Sequence, residues 1–200
     1  ARPVTPSGPL TLGYLSGDYR DHAIGHLMAG LFPAHDRQRV RVVALSTGPD
    51  DGSRYRHRYE RQADRFIDAA LMSDQDLAAA ITAEGVDILV DVSGHTKFDR
   101  LPVVTACPAP VTVHFLGYPG PVGAGLVDWM IADPVLAEEE AHLSTPLAIL
   151  PDCYQANDRQ QEIGQAGERR DHGLPDGAFV FAGLVAPAKL GPETLDLWAA

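Results

Sequence analysis

The chain has 200 residues, of which 45% are hydrophobic and 22% charged, and its formal net charge at pH 7 is -11. This is the composition of an ordinary globular protein with enough material for one core, or for one domain and part of another. The negative charge argues against a nucleic-acid or anionic-membrane partner, because the chain would approach either surface against net repulsion.

Short β-rich runs alternate with longer helical patterns along the chain. The predicted strands are 10–16, 40–46, 64–69, 86–92, 111–117, 128–133 and 178–184. The predicted helices are 23–33, 53–63, 74–84, 99–106 and 191–200. Strands that are apolar on both faces and are separated by helices are typical of a parallel sheet covered on both sides. The sequence therefore predicts an α/β fold with a doubly wound parallel sheet.

A polar, glycine-bearing stretch interrupts this pattern near the C-terminal end. Residues 153–177 are poor in large apolar side chains and are predicted to form a linker. The predicted organisation is a flexible N-terminal segment over 1–9, a first α/β domain over 10–152, the linker, and the start of a truncated second domain over 178–200.

The segment GYLSGDYRDHAIGHLMAG, residues 13–30, is rich in titratable groups for a junction between a core strand and a helix. In doubly wound folds, ligands bind beyond the carboxyl ends of the strands. The helix dipole disfavours an imidazolium in the first turn, so His22 is expected to be neutral and able to accept a proton or a hydrogen bond. Asp18 is close enough in sequence to orient it. The alternative is that Asp18 caps the helix and His22 is a partly buried surface residue.

Neither histidine nor cysteine spacing predicts a metal site. His26 lies one turn after His22 on the same helical face, but zinc needs a third ligand and no HExxH arrangement is present. We expect His26 to pack beneath His22 as a hydrogen-bonded core residue. Cys107 and Cys153 form no CxxC pair, and both are predicted to be buried free thiols.

Two further strand ends lead into loops whose residues suit a binding site. In VDVSGHTKFDR, residues 90–100, small residues let a ligand approach and His95 and Lys97 suit an anionic group; the alternative is a simple glycine-bearing turn. The segment FLGYPGPVGAG, residues 115–125, is too rich in glycine and proline to continue a strand. GxGxxG, Walker A and GxSxG motifs are absent, so dinucleotide, ATP and serine-hydrolase chemistry lack their expected sequences.

The sequence also carries an expectation about location. No apolar run approaches the roughly 20 residues that span a bilayer. The N-terminal ARPVTPSGPL lacks the apolar core of a signal peptide. We therefore expect a cytoplasmic protein without a membrane partner.

Several blocks occur in a distinctive order: GYLSGDYRDHAIGHL, STGPDDGS, GVDILVDVSGHTK, CPAPVTVHFLGYPGPVG with DWMIADPV, LPDCYQAND and AKLGPETLDLWA. Together they resemble the catalytic region of the O-linked N-acetylglucosamine transferase family, the OGT/SPINDLY group. The resemblance spans about residues 10–200, and several blocks in order are more specific than any one of them. It implies the N-terminal half of a B-type glycosyltransferase fold, in which two Rossmann-like domains enclose the active site.

The resemblance also implies an activity. Family members transfer N-acetylglucosamine from UDP-N-acetylglucosamine (UDP-GlcNAc) to Ser or Thr hydroxyls of proteins, with inversion at the anomeric carbon and without an obligatory metal. The expected partners are thus a nucleotide sugar and a protein or peptide acceptor, with no cofactor beyond the donor substrate. Members usually carry tetratricopeptide repeats ahead of the catalytic region, and this chain shows none. Some plant relatives use GDP-fucose, so a SPINDLY-type protein O-fucosyltransferase is an alternative.

The matching motifs imply two catalytic residues. His22 matches the family's catalytic-site histidine at the start of this helix, and Asp18 matches the nearby aspartate proposed to assist it. The chain departs from better-known members at the next two positions, where Ala23 and Ile24 replace a proline and a threonine. This resemblance therefore implies a site without the hydroxyl contact from that threonine.

The resemblance implies five substrate-binding residues as well. Leu116, Gly117 and Pro119 match the loop that lines the sugar pocket. Lys97 matches a lysine near the phosphates, and Lys189 matches the lysine that binds the donor diphosphate. A lysine at that place would neutralise charge that develops on the leaving diphosphate, which stabilises the transition state without a metal.

Two expectations follow, one from positions where the chain differs from family members and one from the part of the fold that it spans. Val185 and Ala186 stand where members carry a polar Asn-Gln pair, and with Ala23 and Ile24 they favour the alternative of a non-catalytic binding or assembly module that keeps the fold. Most of the nucleotide site of this fold belongs to the second domain. We therefore expect this 200-residue chain to be inactive by itself.

Overall fold

Residues 8–106, 109–139 and 144–199 are described by a computed structural model, and they divide into two compact units at Gln161 and Glu162. Most of the predicted flexible segment 1–9 and Cys107 lie outside the described residues. No helix in the described ranges is long and apolar enough to cross a membrane.

The first unit contains one parallel sheet of seven strands. They are β1 Leu10–Ser16, β2 Val40–Ser46, β3 Arg65–Asp68, β4 Ile88–Asp91, β5 Val111–His114, β6 Trp129–Ala132 and β7 Leu147–Ile149. Their order in the sheet is β3-β2-β1-β4-β5-β6-β7, and every neighbouring pair is parallel. This confirms the predicted doubly wound α/β fold. The edge strand β7 was not predicted, because its three residues, which follow a proline, are too few to show a strand-like hydrophobic pattern.

Six helices in the described residues of the first unit connect these strands. They are α1 Ala23–Met28, α2 Leu31–Ala34, α3 Arg54–Gln62, α4 Asp74–Ala83, α5 Leu101–Thr105 and α6 Pro134–Glu139. The predicted helix 23–33 is divided into α1 and α2. Pro33 explains the break, since it has no amide hydrogen to donate and its ring would collide with the carbonyl of Ala29 in a continuous helix.

Successive strand residues point to opposite faces and build two separate cores. On β1, Tyr14 belongs to one buried cluster and Leu15 to the other. Helices α1, α2 and α3 cover the face of Tyr14, and α4 and α5 cover the face of Leu15. The inner strands β1, β2 and β4 are therefore buried on both sides, as their continuous apolar runs predict.

The chain reverses its direction of travel across the sheet between β1 and β4. From β1 it leads to β2 and β3 on one side, and it then returns to place β4 on the other side. The helices after β1 pack on one face, whereas α5, which follows β4, packs on the opposite face. The carboxyl ends of β1 and β4 therefore form the switch point where doubly wound sheets bind ligands.

The end of the first unit includes residues that the sequence places in a linker. Tyr154 and Ala156 pack against the core on the α1–α3 face. Asp158 pairs with Arg58 of α3. Cys153, within this segment, is exposed. The prediction that its thiol is buried is wrong, because it lies on an irregular surface segment rather than in a core element. The proposed domain boundaries stay predictions.

The second unit begins at Glu162 and contains α7, Pro192–Ala199, close to the predicted helix. The strand predicted over 178–184 is wrong, since these residues are irregular. A strand needs a hydrogen-bonding partner, and the described residues of this unit form no other strand. Phe179, Phe181 and Leu184 of this segment are exposed.

Candidate active site

The loop after β1 brings Asp18 and His22 together. His22 is the N-cap of α1, and its Nδ1 accepts a hydrogen bond from the Ile24 amide at 3.3 Å. The Asp18 carboxylate lies 3.4 Å from the same Nδ1 and is 7% exposed, whereas the His22 side chain is 38% exposed. The alternative is therefore wrong in making Asp18 the helix cap, and it is right that His22 is a partly buried surface residue. Because Nδ1 is an acceptor, the ring hydrogen is assigned to Nε2.

The Asp18 carboxylate has a second partner that sequence reasoning missed. Arg20 Nη2 donates to Asp18 Oδ1 at 2.8 Å, and the guanidinium lies 5.9 Å from the centroid of the Phe98 ring. The buried Nε of Arg20 has no hydrogen-bond partner among the described residues. An opposite charge two positions from Asp18 was the available sequence signal. Asp18 is thus held by a cation on one side and faces His22 on the other.

Asp51 braces the same loop from the β2–α3 connection, and it was also missed. Its Oδ2 accepts from the Asp21 amide at 2.8 Å, and its Oδ1 accepts from the Ser53 amide at 3.0 Å. Burial alone would raise the pKa of Asp51, but hydrogen bonds from Asp21 and Ser53 hold that pKa below its usual range. The carboxylate therefore stays ionised and fixes the residue that precedes His22.

Backbones of three loops meet tightly beside this site. Ser93 Oγ accepts from the Gly17 amide at 3.2 Å, and Thr47 Oγ1 donates to the Phe98 carbonyl at 2.7 Å. A Cβ on Gly48 would overlap the Gly17 carbonyl oxygen, and one on Gly17 would lie 2.7 Å from Phe98 Cβ. Phe98 itself has φ +67°, a strained conformation for a bulky residue. These contacts hold the ends of β1, β2 and β4 in one arrangement.

Of the two candidate anion-binding residues after β4, Lys97 is the more available. It is exposed, its Nζ lies 4.9 Å from the Phe98 ring centroid, and it forms no ion pair within the described ranges. His95 Nε2 is engaged at 2.8 Å with the Val122 carbonyl oxygen, and its ring meets Tyr118 edge-on at 5.2 Å. A carbonyl only accepts, so His95 donates there.

The loop after β5 contains the predicted sugar-pocket residues. Leu116 has φ +72°, and the Gly117 amide donates to the Phe115 carbonyl at 2.9 Å. This is a three-residue turn with a positive central φ, the rarer and strained form. A Cβ on Gly117 would overlap the Val92 carbonyl oxygen, so only glycine fits. Leu116 is buried and Pro119 is exposed.

Six of the seven predicted site residues therefore follow three adjacent strands of one sheet. Asp18 and His22 follow β1, Lys97 follows β4, and the Leu116–Pro119 loop follows β5. Lys189 lies in the second unit, in an exposed 3₁₀ turn Pro187–Lys189. The roles of these seven residues remain predictions.

His26 does not occupy the predicted core position. Its ring stacks on Tyr55 with centroids 4.1 Å apart, its Nε2 is 2.6 Å from Asp21 Oδ1, and its side chain is 36% exposed. The buried face of the short α1 is formed by Gly25 and Met28, so His26 lies at the edge beside α3. The predicted hydrogen bond is present, but the predicted burial beneath His22 is wrong.

No group of three or more His, Cys, Asp or Glu residues in the described part of the chain could hold a metal ion. The buried pair formed by Asp91 and His114, which ends β4 and β5, is too small a set for such a site. Sequence reasoning missed this pair. Its only sequence trace is a titratable residue at the end of each strand.

Comparison with known proteins gives a consistent result. Residues 2–169 match glycosyl transferase family 41. The chain is 32% identical over 197 residues to the probable UDP-N-acetylglucosamine–peptide N-acetylglucosaminyltransferase SEC of Arabidopsis thaliana. This alignment covers 94% of this chain and 20% of that protein. It is 32% identical over 157 residues to a UDP-N-acetylglucosamine–peptide N-acetylglucosaminyltransferase of Caenorhabditis elegans, covering 77% of this chain and 14% of that protein.

A solved structure shows the same fold. An O-GlcNAc transferase mutant of Thermobaculum terrenum superposes with a TM-score of 0.72 at 30% sequence identity, covering 78% of this chain and 30% of that chain. The probable SPINDLY transferase of Arabidopsis thaliana is 28% identical over 97% of this chain and 22% of its own length. The chain thus spans about a fifth of the length of these curated relatives. By the match over 2–169, the chain belongs to glycosyl transferase family 41.

Proposed function

We propose that this chain is the N-terminal catalytic half of a protein O-GlcNAc transferase, which moves N-acetylglucosamine from UDP-GlcNAc to Ser or Thr hydroxyls with inversion. One observation carries the proposal: Asp18, His22, Lys97 and the Leu116–Pro119 loop follow three adjacent strands at the switch point of a family 41 sheet. Ligands of doubly wound folds bind at that place.

His22 is proposed to contact a substrate oxygen through Nε2. Its Nδ1 is occupied by the Ile24 amide, so the exposed Nε2 carries the hydrogen and donates. In the inverting step, the acceptor oxygen bonds to the anomeric carbon, the bond to the diphosphate oxygen breaks, and the hydroxyl proton passes to the leaving diphosphate or to water. For Nε2 of His22 to take that proton, the ring hydrogen would first have to move from Nε2 to Nδ1. Nδ1 could then no longer accept from the Ile24 amide. Binding through Nε2 is therefore its primary role, and proton transfer is secondary.

The two lysines are proposed to balance the diphosphate charge. Lys97 and Lys189 are the only lysines in the sequence. The ion pairs of the described residues use no lysine. Lysine is a compact point charge suited to phosphate, and charge neutralisation of the leaving group lowers the barrier. This supports donor chemistry that needs no metal or other cofactor.

Sugar transfer by the full-length protein tests the proposal. The assay compares UDP-GlcNAc with GDP-fucose as donor and a Ser/Thr peptide as acceptor, for wild type, His22→Ala and the control His57→Ala, an exposed residue of α3. We expect transfer from UDP-GlcNAc, a loss of about 100-fold or more in kcat/KM for His22→Ala, and no change for the control. Transfer from GDP-fucose alone would replace the proposal with the SPINDLY-type alternative.

Calorimetry separates an enzyme from a binding module. Ile24 has no hydroxyl, and its side chain packs partly buried against the core. Both facts favour the non-catalytic alternative. Titration of the full-length protein with UDP, UDP-GlcNAc and GDP-fucose decides between them. Absence of binding to all three would refute the transferase. The cytoplasmic location and accompanying tetratricopeptide repeats stay predictions.

A further inference from the structure

Asp91 and His114 form a fully buried pair at the ends of two paired strands. They are register partners on β4 and β5, and His114 Nδ1 lies 3.0 Å from Asp91 Oδ2. Their side chains are 0% and 1% exposed. A buried titratable pair has a high desolvation cost unless its hydrogen bonds are complete. Its placement therefore calls for a role beyond packing.

Both ring nitrogens of His114 face acceptors. Nδ1 faces the Asp91 carboxylate, and Nε2 lies 2.9 Å from the Tyr118 carbonyl oxygen. A carbonyl oxygen cannot donate, so Nε2 carries a hydrogen. Asp91 also accepts from the Ser93 amide at 3.1 Å and from the Gly94 amide at 3.0 Å. One hydrogen between Nδ1 and the Asp91 carboxyl completes the hydrogen bonds of the pair, so the ring is held on both sides.

The His114 ring holds the predicted sugar-pocket loop. Its Nε2 bond fixes the Tyr118 carbonyl, directly after the strained turn at Leu116 and Gly117. Gly94 packs against the other side of the ring, where an added Cβ would lie 2.8 Å from His114 Cε1. A strained backbone persists only when its surroundings determine it from several sides. Here one ring joins the loop after β4 to the loop after β5.

We infer that His114, held by Asp91, is the positioning residue that orients the Leu116–Pro119 loop toward the sugar of the donor. The link to the sugar rests on the proposed function, whereas the loop contact stands independently of it. His114 itself is too buried to touch a substrate.

Nuclear magnetic resonance of the full-length protein with ring-¹⁵N histidine tests the loop contact without any activity. The His114 resonances are assigned as those missing from His114→Gln. We expect Nε2 to carry a hydrogen that is bonded to the Tyr118 carbonyl and exchanges slowly with solvent. In Asp91→Asn the partner of Nδ1 is changed, so the ring should be held less firmly and that hydrogen should exchange faster. A wild-type Nε2 that carries no hydrogen, or whose hydrogen exchanges as fast as that of an exposed histidine, would overturn the inference.

Kinetics test the positioning role. A general loss of folded protein lowers apparent kcat and leaves KM unchanged, whereas a displaced sugar loop raises KM. We expect His114→Gln to lower kcat/KM about 10- to 100-fold, mainly through the KM for the donor, because glutamine cannot donate to both acceptors. His57→Gln is the control. An unchanged donor KM in His114→Gln, with an active wild type, would refute positioning; an inactive wild type would refute the proposed function instead.

Discussion

Asp18 and Arg20 form an ion pair with 2.8 Å between Oδ1 and Nη2, inside the loop that also carries His22. The Asp18 side chain is 7% exposed and that of Arg20 is 24% exposed, so water screens the pair only partly. The carboxylate that the sequence assigns to His22 therefore pairs with a neighbouring cation. This pair has a measurable consequence for stability.

Arg20→Met is expected to lower the free energy of unfolding by about 1–3 kcal/mol, because it leaves a buried carboxylate without its cation. The measurement is urea unfolding followed by circular dichroism. In the double variant Asp18→Asn with Arg20→Met, the loss should be smaller than the sum of the single losses. Arg170→Met removes a partner from an exposed pair and serves as the control, with little expected effect. Strict additivity of the two single losses would contradict the coupling.

Gly117→Ala is expected to disrupt the turn after β5. The new Cβ would overlap the Val92 carbonyl oxygen, and neither backbone can move without breaking the sheet end. We expect a loss of about 3 kcal/mol or more in the free energy of unfolding, measured in the same urea experiment. The control is Gly8→Ala, where a Cβ has no neighbour within 4 Å. Equal stability of the two variants would show that the turn is not as tightly packed as described.

The segment after β7 is fastened to α3 by Asp158 and Arg58, with N–O distances of 2.5 and 3.1 Å. Hydrogen bonds from Arg58 lower the pKa of Asp158 below its ordinary value of 3.8. A lowered folded-state pKa means that the pair stabilises the fold above that ordinary value and loses its contribution as the pH falls through the folded-state pKa.

Asp158→Asn should therefore be less stable than wild type at pH 7, by about 1–2 kcal/mol, and the difference should narrow below about pH 4. Thermal and urea unfolding across this pH range provide the measurement. Asp152→Asn, at an exposed position of the same segment, is the matched control. A stability difference that stays constant with pH would show that the charge of Asp158 is not what fastens the segment.

Much of the fold follows from local pattern, and the exceptions have physical causes. The short β-rich runs correctly predict β1 to β6, and the inner strands β1, β2 and β4, which are buried on both faces, need no long-range information to be recognised. The strand over 178–184 has the same composition and fails, since a strand also needs a partner. Local pattern could not reveal β7 either, because its three residues are ordered by pairing with β6.

The candidate site was predictable in outline and not in its contacts. The sequence pattern assigned Asp18, His22 and Lys97 to strand ends and helix starts, and parallel strands end at one edge of the sheet; the roles of these residues stay predictions. The pairing of Asp91 with His114 depends on the register of β4 against β5, which no local pattern contains. The same holds for His26, whose stacking on Tyr55 depends on how α1 meets α3.

The two lysines give the sharpest test of donor chemistry. Lys97 is exposed and unpaired within the described residues, so Lys97→Met should leave the free energy of unfolding within about 0.5 kcal/mol of wild type. In the full-length protein, Lys97→Met and Lys189→Met are each expected to lower kcat/KM for UDP-GlcNAc by about 10²-fold, because the diphosphate loses a compensating charge. Lys97→Arg keeps the charge and should retain more activity than Lys97→Met. Steady-state kinetics with varied donor concentration measure all three variants. Equal losses of kcat/KM in Lys97→Arg and Lys97→Met would mean that the charge of Lys97 does not act on the phosphates.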